Sequence, residues 1–187
     1  MNSSHPNGVN VDQLHATIHA VKDDPALAQF EFRAHTEWRS GAHVQTYVQG
    51  FRGVKQEDQS RTQPFVLEGD EPPVLLGSNQ GPNAVELVLA GLTACLSVGI
   101  AYNAAARGIT IEAMTLDVTG DIDLHGFLGL SDTVRAGCHD IAIACHIKSP
   151  ASDKDIADLL DHVQATSPVT DIVRNPTPVH LKFVRDA

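Results

Sequence analysis

Chemistry in this chain centres on sulfur. Cys95 lies near the middle of twenty consecutive uncharged residues, Leu87 to Ala106. A thiolate there is a nucleophile toward oxygen or sulfur electrophiles, provided that something supplies positive charge. Without it, a thiol in apolar surroundings stays protonated, because desolvation penalises the anion. The helix dipole acts near the first turn and gives little to a mid-helix residue. The cation must come from elsewhere in the chain.

The other candidate groups are weaker. Cys138-His139 and Cys145-His146 invite comparison with a zinc site. On a strand, however, Cys138 and His146 share a face at a separation of roughly 26 Å, and Cys145 and His139 share the other at roughly 20 Å. No metal takes two ligands from either pair. Cys145 reads as a small core residue, and Cys138 as a strand-start residue without an assigned role. His15 and His19 stand at i, i+4 and could share an ion, but no third ligand accompanies them. Neither Gly77–Gly81 nor Gly120–Gly129 has the strand–glycine–helix spacing of a phosphate loop, and no Gly-x-Ser-x-Gly elbow occurs. The expectation is a chain with no metal and no cofactor.

Positioning the thiol falls to the helix around it. Asn83-Ala84-Val85-Glu86 has capping-box spacing, Pro82 precedes it, and Gly108 stands where a left-handed residue ends a helix. A helix between those signals covers about 24 residues, or roughly 36 Å. That length suffices to cross a bilayer. Against a span, Thr93, Ser97, Tyr102 and Asn103 are spread along it, and no aromatic belt or Lys/Arg cluster flanks it. Ala90, Gly91, Ala94, Gly99 and Ala101 are small enough to let neighbouring backbone approach. The reading is a core helix with protein on every side, and no membrane partner.

Around it the period alternates between two and 3.6. Residues 1–9 read as a disordered lead, and Asp12 to Val21 as a helix ended by Asp23-Asp24-Pro25. Phe30 to Glu37 alternates as a half-buried strand, with Trp38-Arg39-Ser40-Gly41 as the hairpin turn and His43–Gln49 returning. A third strand falls near Gln63–Leu67, before a polar loop from Gly69 to Gly81. Ile109–Thr119 and His139–Ile147 read as strands flanking a glycine-rich excursion, Gly120–Leu130. In the second of these, Ile141, Ile143, Cys145 and Ile147 share a face. Ser152 or Asp153 caps a helix with Ile156, Leu159, Leu160 and Val163 on one side, and Ser167-Pro168-Val169 ends it. Pro178–Val184 reads as a closing strand. The pattern is α+β, with antiparallel pairing from the short connections.

Composition bounds the function. The chain has 187 residues, 13 basic against 23 acidic, for a formal net charge of −10. Phosphate-backbone binding is disfavoured, so no nucleic-acid partner is expected. The first eight residues carry no basic or apolar region of a signal peptide. Three cysteines do not form a disulfide framework, and a reducing cytoplasm is the expected location.

The run Asp70-Glu71-Pro72, Leu76-Gly77-Ser78-Asn79 and Gly81 through Cys95 resembles the OsmC/Ohr family of osmotically induced and organic hydroperoxide resistance proteins. Arg107-Gly108-Ile109, Gly120-Asp121-Ile122-Asp123, Ser167 to Asp171 and Asn175 to Val179 extend the likeness over roughly residues 30–185. The resemblance implies a curved antiparallel sheet wrapped around a long buried central helix, in an intertwined homodimer. It divides the chain into a lead and short helix, residues 1–28, and an OsmC-like domain, residues 29–187.

It also implies chemistry. In that family a peroxidatic Cys on the central helix attacks a hydroperoxide. A resolving Cys before a Pro-Val-like dipeptide closes a disulfide, and an Arg from the first hairpin, oriented by a Glu, favours the thiolate. Cys95 matches the peroxidatic position, and Arg39 is the best match for the arginine, ahead of Arg33 and Arg52. Two departures stand out. Ser167, before Pro168, occupies the resolving position and cannot form a disulfide. The orienting Glu belongs ten residues before the Cys, where Val85 stands. Glu86 is the remaining candidate, but nine residues is about 900° of helix, the opposite face. Cys138 or Cys145 could resolve only with Cα atoms within about 7 Å of Cys95. The resemblance therefore implies peroxide reduction through a Cys95 sulfenic acid and an external thiol reductant. The alternatives are a non-catalytic dimer binding a small hydrophobic ligand at its interface, or a mainly structural stress-related dimer.

Overall fold

The computed structural model describes residues 5–185, and the chain divides into two compact units, Met1–Ala90 and Gly91–Ala187. Met1–Ser4, part of the expected lead, lie outside the described residues; Pro6–Gly8 form a 3-10 turn. Helix α1, Val11–Asp23, starts where the Asn10 side chain accepts a hydrogen bond from the Gln13 amide at 2.9 Å.

The first unit then forms β1 (Glu31–Phe32), β2 (His35–Ser40), β3 (His43–Val48), β4 (Phe51–Gly53), β5 (Gln56–Glu57) and β6 (Phe65–Gly69). These make two antiparallel sheets, β1-β4-β5 and β2-β3-β6. The strand expected over Phe30–Glu37 is interrupted at Arg33-Ala34. Its first half pairs with β4 instead, where the Phe30, Phe32 and Phe51 rings cluster at centroid distances of 5.6 to 6.4 Å. The expected half-buried face is exposed at Phe32. The β2–β3 turn is Gly41-Ala42, with Gly41 at φ +57. Trp38-Arg39-Ser40, expected in that turn, therefore belongs to β2. Trp38 faces Val44 and Ser40 faces His43, so Arg39 is the extra residue of a bulge.

A loop from Asp70 leads to the long helix, and a buried carboxylate organises it. Asp70 accepts backbone N–H bonds from Glu71 at 2.8 Å and from Ser78 and Gln80 at 3.1 Å. These amides, Gln80's foremost, hold its carboxyl below the usual range. A Cβ at Gly77 would lie 1.8 Å from the Glu71 carbonyl oxygen, so only glycine closes this loop.

Helix α2, Ala84–Ala106, has the expected ends. The Asn83 amide donates to Glu86 Oε2 at 2.8 Å and the Glu86 amide to Asn83 Oδ1 at 2.9 Å, a complete capping box. At the other end Gly108 takes φ +70 and the Ile109 amide donates to the Ala104 carbonyl at 2.8 Å, a Schellman closure.

The second unit continues with β7 (Ala113–Asp121), α3 (Leu124–Phe127), β8 (Asp140–Lys148), α4 (Asp153–Thr166, capped by Ser152) and α5 (Pro168–Arg174). β7 and β8 pair along their full lengths, from Ala113 opposite Lys148 to Asp121 opposite Asp140. β7 begins later than expected, because Ile109 and Ile111 lie in the connection, still packed on the core. That core joins Leu92, Leu96, Ile100 and Ala104 of α2 to Leu159 and Val163 of α4. Met114, Leu116, Ile141, Ile143, Cys145 and Ile147 of the hairpin pack against it. Truncating the fully buried Leu159 to alanine is expected to cost about 2–5 kcal/mol.

Two expectations are corrected. In place of one curved sheet, the strands of the described residues hydrogen-bond as three antiparallel sheets. Helix α2 is the long central helix expected, long and apolar enough by length and composition to cross a membrane, and within one chain it buries Leu92, Leu96, Ile100, Ala104 and Ala105. Val98 is 53% exposed and Tyr102 49%. The closing strand over Pro178–Val184 is also absent: among the described residues no strand pairs with it, and Val179, Leu181 and Phe183 are exposed.

An Asp70→Asn variant is expected to melt at a lower temperature than the parent near neutral pH. Because the folded carboxyl titrates below its unfolded value of about 3.9, its contribution is present above that pH. It fades as pH falls through the lower folded value. Thermal melts of both proteins should therefore converge at the acid end. A gap that stays constant down to that end would show that the ionised carboxylate is not what holds the loop.

Candidate active site

The site is set by a close helix approach. A Cβ built on Gly99 would sit 2.9 Å from Val163 Cγ1, so α2 and α4 meet where α2 has no side chain. Four residues back along α2 is Cys95, and four residues on from Val163 is Ser167. Cys95 Sγ and Ser167 Oγ are 3.3 Å apart. The helices pass in opposite senses, and the same contact that seats Val163 delivers the hydroxyl to the sulfur.

Ser167 is buried, 6% exposed. It ends α4 and caps α5, its Oγ accepting from the Thr170 amide at 3.1 Å. Pro168 follows at the first helical position, where its missing N–H costs nothing. Val169 packs against the core. Thr170 Oγ1 is buried without a hydrogen-bond partner. Cys95 itself is half-buried. This arrangement offers a nucleophilic sulfur and an adjacent hydroxyl, but no second sulfur for a disulfide.

All three cysteines are free. Cys145 faces the core from β8, where burial pushes its thiol pKa up. That disfavours the thiolate a resolver needs. Cys138 precedes β8. Among the described residues no three His, Cys, Asp or Glu side chains gather as metal ligands.

Arg39 and Glu86 belong to the first unit, each with partners there. Glu86 serves the capping box. Arg39 Nε donates to Gln45 Oε1 at 2.9 Å, and its terminal nitrogen meets Tyr47 Oη and Glu37 Oε2, both at 2.6 Å. Gln45 Nε2 in turn donates to Glu68 Oε1, and His43 Nε2 meets Glu68 Oε2, both at 2.7 Å. The His43 and Gln45 hydrogen bonds hold the Glu68 carboxyl below its usual range. Sequence reasoning missed this network, although the two-residue period of β3 puts His43, Gln45 and Tyr47 on one face. Arg33 pairs with Glu57 and Glu31, and Arg52 lies opposite Glu31 and Glu57 in register. Thr170 and the close-contact role of Gly99 were likewise missed. For Gly99 the signal was its place among the small residues of α2.

Comparison with known proteins matches residues 77–182 to the family model described as OsmC-like protein. No curated protein matches. Among solved structures, an OsmC-like protein from Mycoplasma pneumoniae is 21% identical with a TM-score of 0.58, over 77% of this chain and 87% of that one. An organic hydroperoxide resistance protein, OsmC, from Legionella pneumophila is 18% identical with a TM-score of 0.55, over 79% and 91%. An organic hydroperoxide resistance protein from Elizabethkingia anophelis, with thiocyanate bound, is 15% identical with a TM-score of 0.50, over 77% and 89%. At these identities the likeness concerns the fold.

The geometry gives a direct test. With side-chain atoms 3.3 Å apart and a disulfide bond of about 2.05 Å, a Ser167→Cys variant needs only a small closure. Mild oxidation is expected to link Cys95 to the new thiol, read as a cross-linked peptide by mass spectrometry. Two free thiols after oxidation would show that the side chains do not meet in this way.

Proposed function

The chain belongs to the OsmC-like family, and on that premise we propose that it reduces organic hydroperoxides with one thiol, Cys95. The observation that carries the proposal is the 3.3 Å contact between Cys95 and Ser167. It sets the residue matching the family's resolving position against the residue matching its peroxidatic one. The hydroperoxide resistance named for the Legionella and Elizabethkingia proteins supports the same substrate class.

The reaction balances as follows. The Cys95 thiolate attacks the terminal oxygen of the hydroperoxide. The S–O bond forms, the O–O bond breaks, and the departing alkoxide takes a proton from water. Cys95 is left as a sulfenic acid. One external thiol displaces water to give a mixed disulfide, and a second releases Cys95 and leaves as the external disulfide. By the family resemblance, Arg39 supplies the cation that favours the thiolate. Glu86 remains with the helix start rather than with the arginine. The three free thiols suit a reducing compartment, the cytoplasm.

A homodimer is part of this reading. Val98 and Tyr102 on α2, and Val179, Leu181 and Phe183 in the C-terminal segment, leave apolar surface exposed on one chain. A second copy is the occupant the family resemblance implies. Light scattering is expected to give twice the 20.0 kDa of one chain; a monomer at micromolar concentration would remove the dimer from the reading.

Stopped-flow mixing with cumene hydroperoxide is expected to consume one thiol per chain, with a dimedone adduct at Cys95 that Cys95→Ser lacks. An Arg39→Ala variant is expected to react about 10-fold or more slowly, the scale of a lost interaction with a charged group. If Cys95 stays unmodified at millimolar peroxide, catalysis is excluded and the ligand-binding dimer is what the fold supports.

A further inference from the structure

A serine hydroxyl has one proton to give and two lone pairs to fill. At Ser167 one lone pair is engaged by the Thr170 amide at 3.1 Å. Capping α5 therefore uses an acceptor and leaves the proton free. The side-chain atom that meets this hydroxyl is Cys95 Sγ at 3.3 Å. An ionised sulfur has no proton, so across that contact only the serine can donate. The residue is 6% exposed, where an unpaired hydroxyl proton would be costly.

We propose that Ser167 is a catalytic residue that donates its hydroxyl hydrogen bond to the Cys95 thiolate. This deepens the one-thiol reading and rests on it. The position that holds a resolving thiol in the family here holds a donor to the reacting sulfur. Ser167 is not consumed: it forms no covalent bond, and the proton taken by the alkoxide comes from water. As the sulfur's electron pair moves into the new S–O bond, the hydroxyl remains hydrogen-bonded at the site. The same group cannot return electrons to the sulfenic acid, so reduction falls to the external thiol.

The test separates donation from capping. Ser167→Ala removes both; Ser167→Gly removes the hydroxyl but keeps most of the cap, since glycine is a fair N-cap; Ser167→Thr keeps both. Cys95 alkylation by iodoacetamide is followed against pH, with circular dichroism of each variant to establish folding. The pH profile is expected to move upward in Ala and Gly and to stay near the parent in Thr. Second-order rates with cumene hydroperoxide near neutral pH should fall about 10-fold or more in Ala and Gly, the scale of one hydrogen bond to a charged group. A folded Gly variant whose alkylation profile superimposes on the parent's would overturn the proposal and leave Ser167 as a cap. Profiles that separate as expected, in a protein whose Cys95 never reacts with peroxide, would support the donor and reject the peroxidase reading.

Discussion

The distance between α2 and α4 is fixed by a missing side chain. At Gly99 the space a methyl would need is already occupied by Val163, 2.9 Å from where that carbon would lie. Interiors are close-packed, so an added methyl there is not absorbed without movement. The stripe Leu92, Leu96, Ile100, Ala104 then lies against Leu159 and Val163, four-residue steps that keep one face of α2 on its neighbour. Cys95 and Ser167 inherit their separation from this contact. Neither needs a specific interaction to be brought near the other; helix geometry does it once the glycine is seated. A contact built this way depends on the core beneath it.

The start of α2 is fixed by a different kind of force. Asp70 gathers three backbone amides, and Asn83 and Glu86 satisfy each other's amides at the first turn. Both devices are local hydrogen bonding of groups that would otherwise be unpaired. Together they decide where the helix begins, while its packing on α4 decides which residues fall on the buried stripe.

What was legible in the sequence follows this division. The ends of α2, the cap and apolar face of α4, and the inward face of β8 were readable because each depends on residues within a turn or a strand of one another. Arg39 was misplaced in a turn because a bulge is a property of pairing. Nothing in Trp38-Arg39-Ser40 alone says that Ser40 will face His43. Pro178–Val184 alternates like a strand, yet a strand is made by its partner's ladder, and this one has none among the described residues. The Cys95–Ser167 contact was foreshadowed by the family resemblance; the Gly99 approach that creates it is a long-range fact no local pattern carries.

Replacing a thiol with a hydroxyl changes the electron balance of the proposed chemistry more than its geometry. Reducing a hydroperoxide takes two electrons, and Cys95 can supply both only by ending as a sulfenic acid. A neighbouring thiol would restore it within the protein, whereas Ser167 has no electrons to give on that scale. Cys145 is poorly suited to the task, since it faces the core and burial raises its thiol. The returning electrons must therefore arrive from solution, and the oxidised sulfur must be reachable. Cys95 is half-buried and Ser167 buried, and such a cycle requires access to the first residue and not to the second. Closing Cys95 off completely would disfavour the thiolate and strand the oxidised form. A one-thiol cycle can thus tolerate a buried donor but not a buried sulfur.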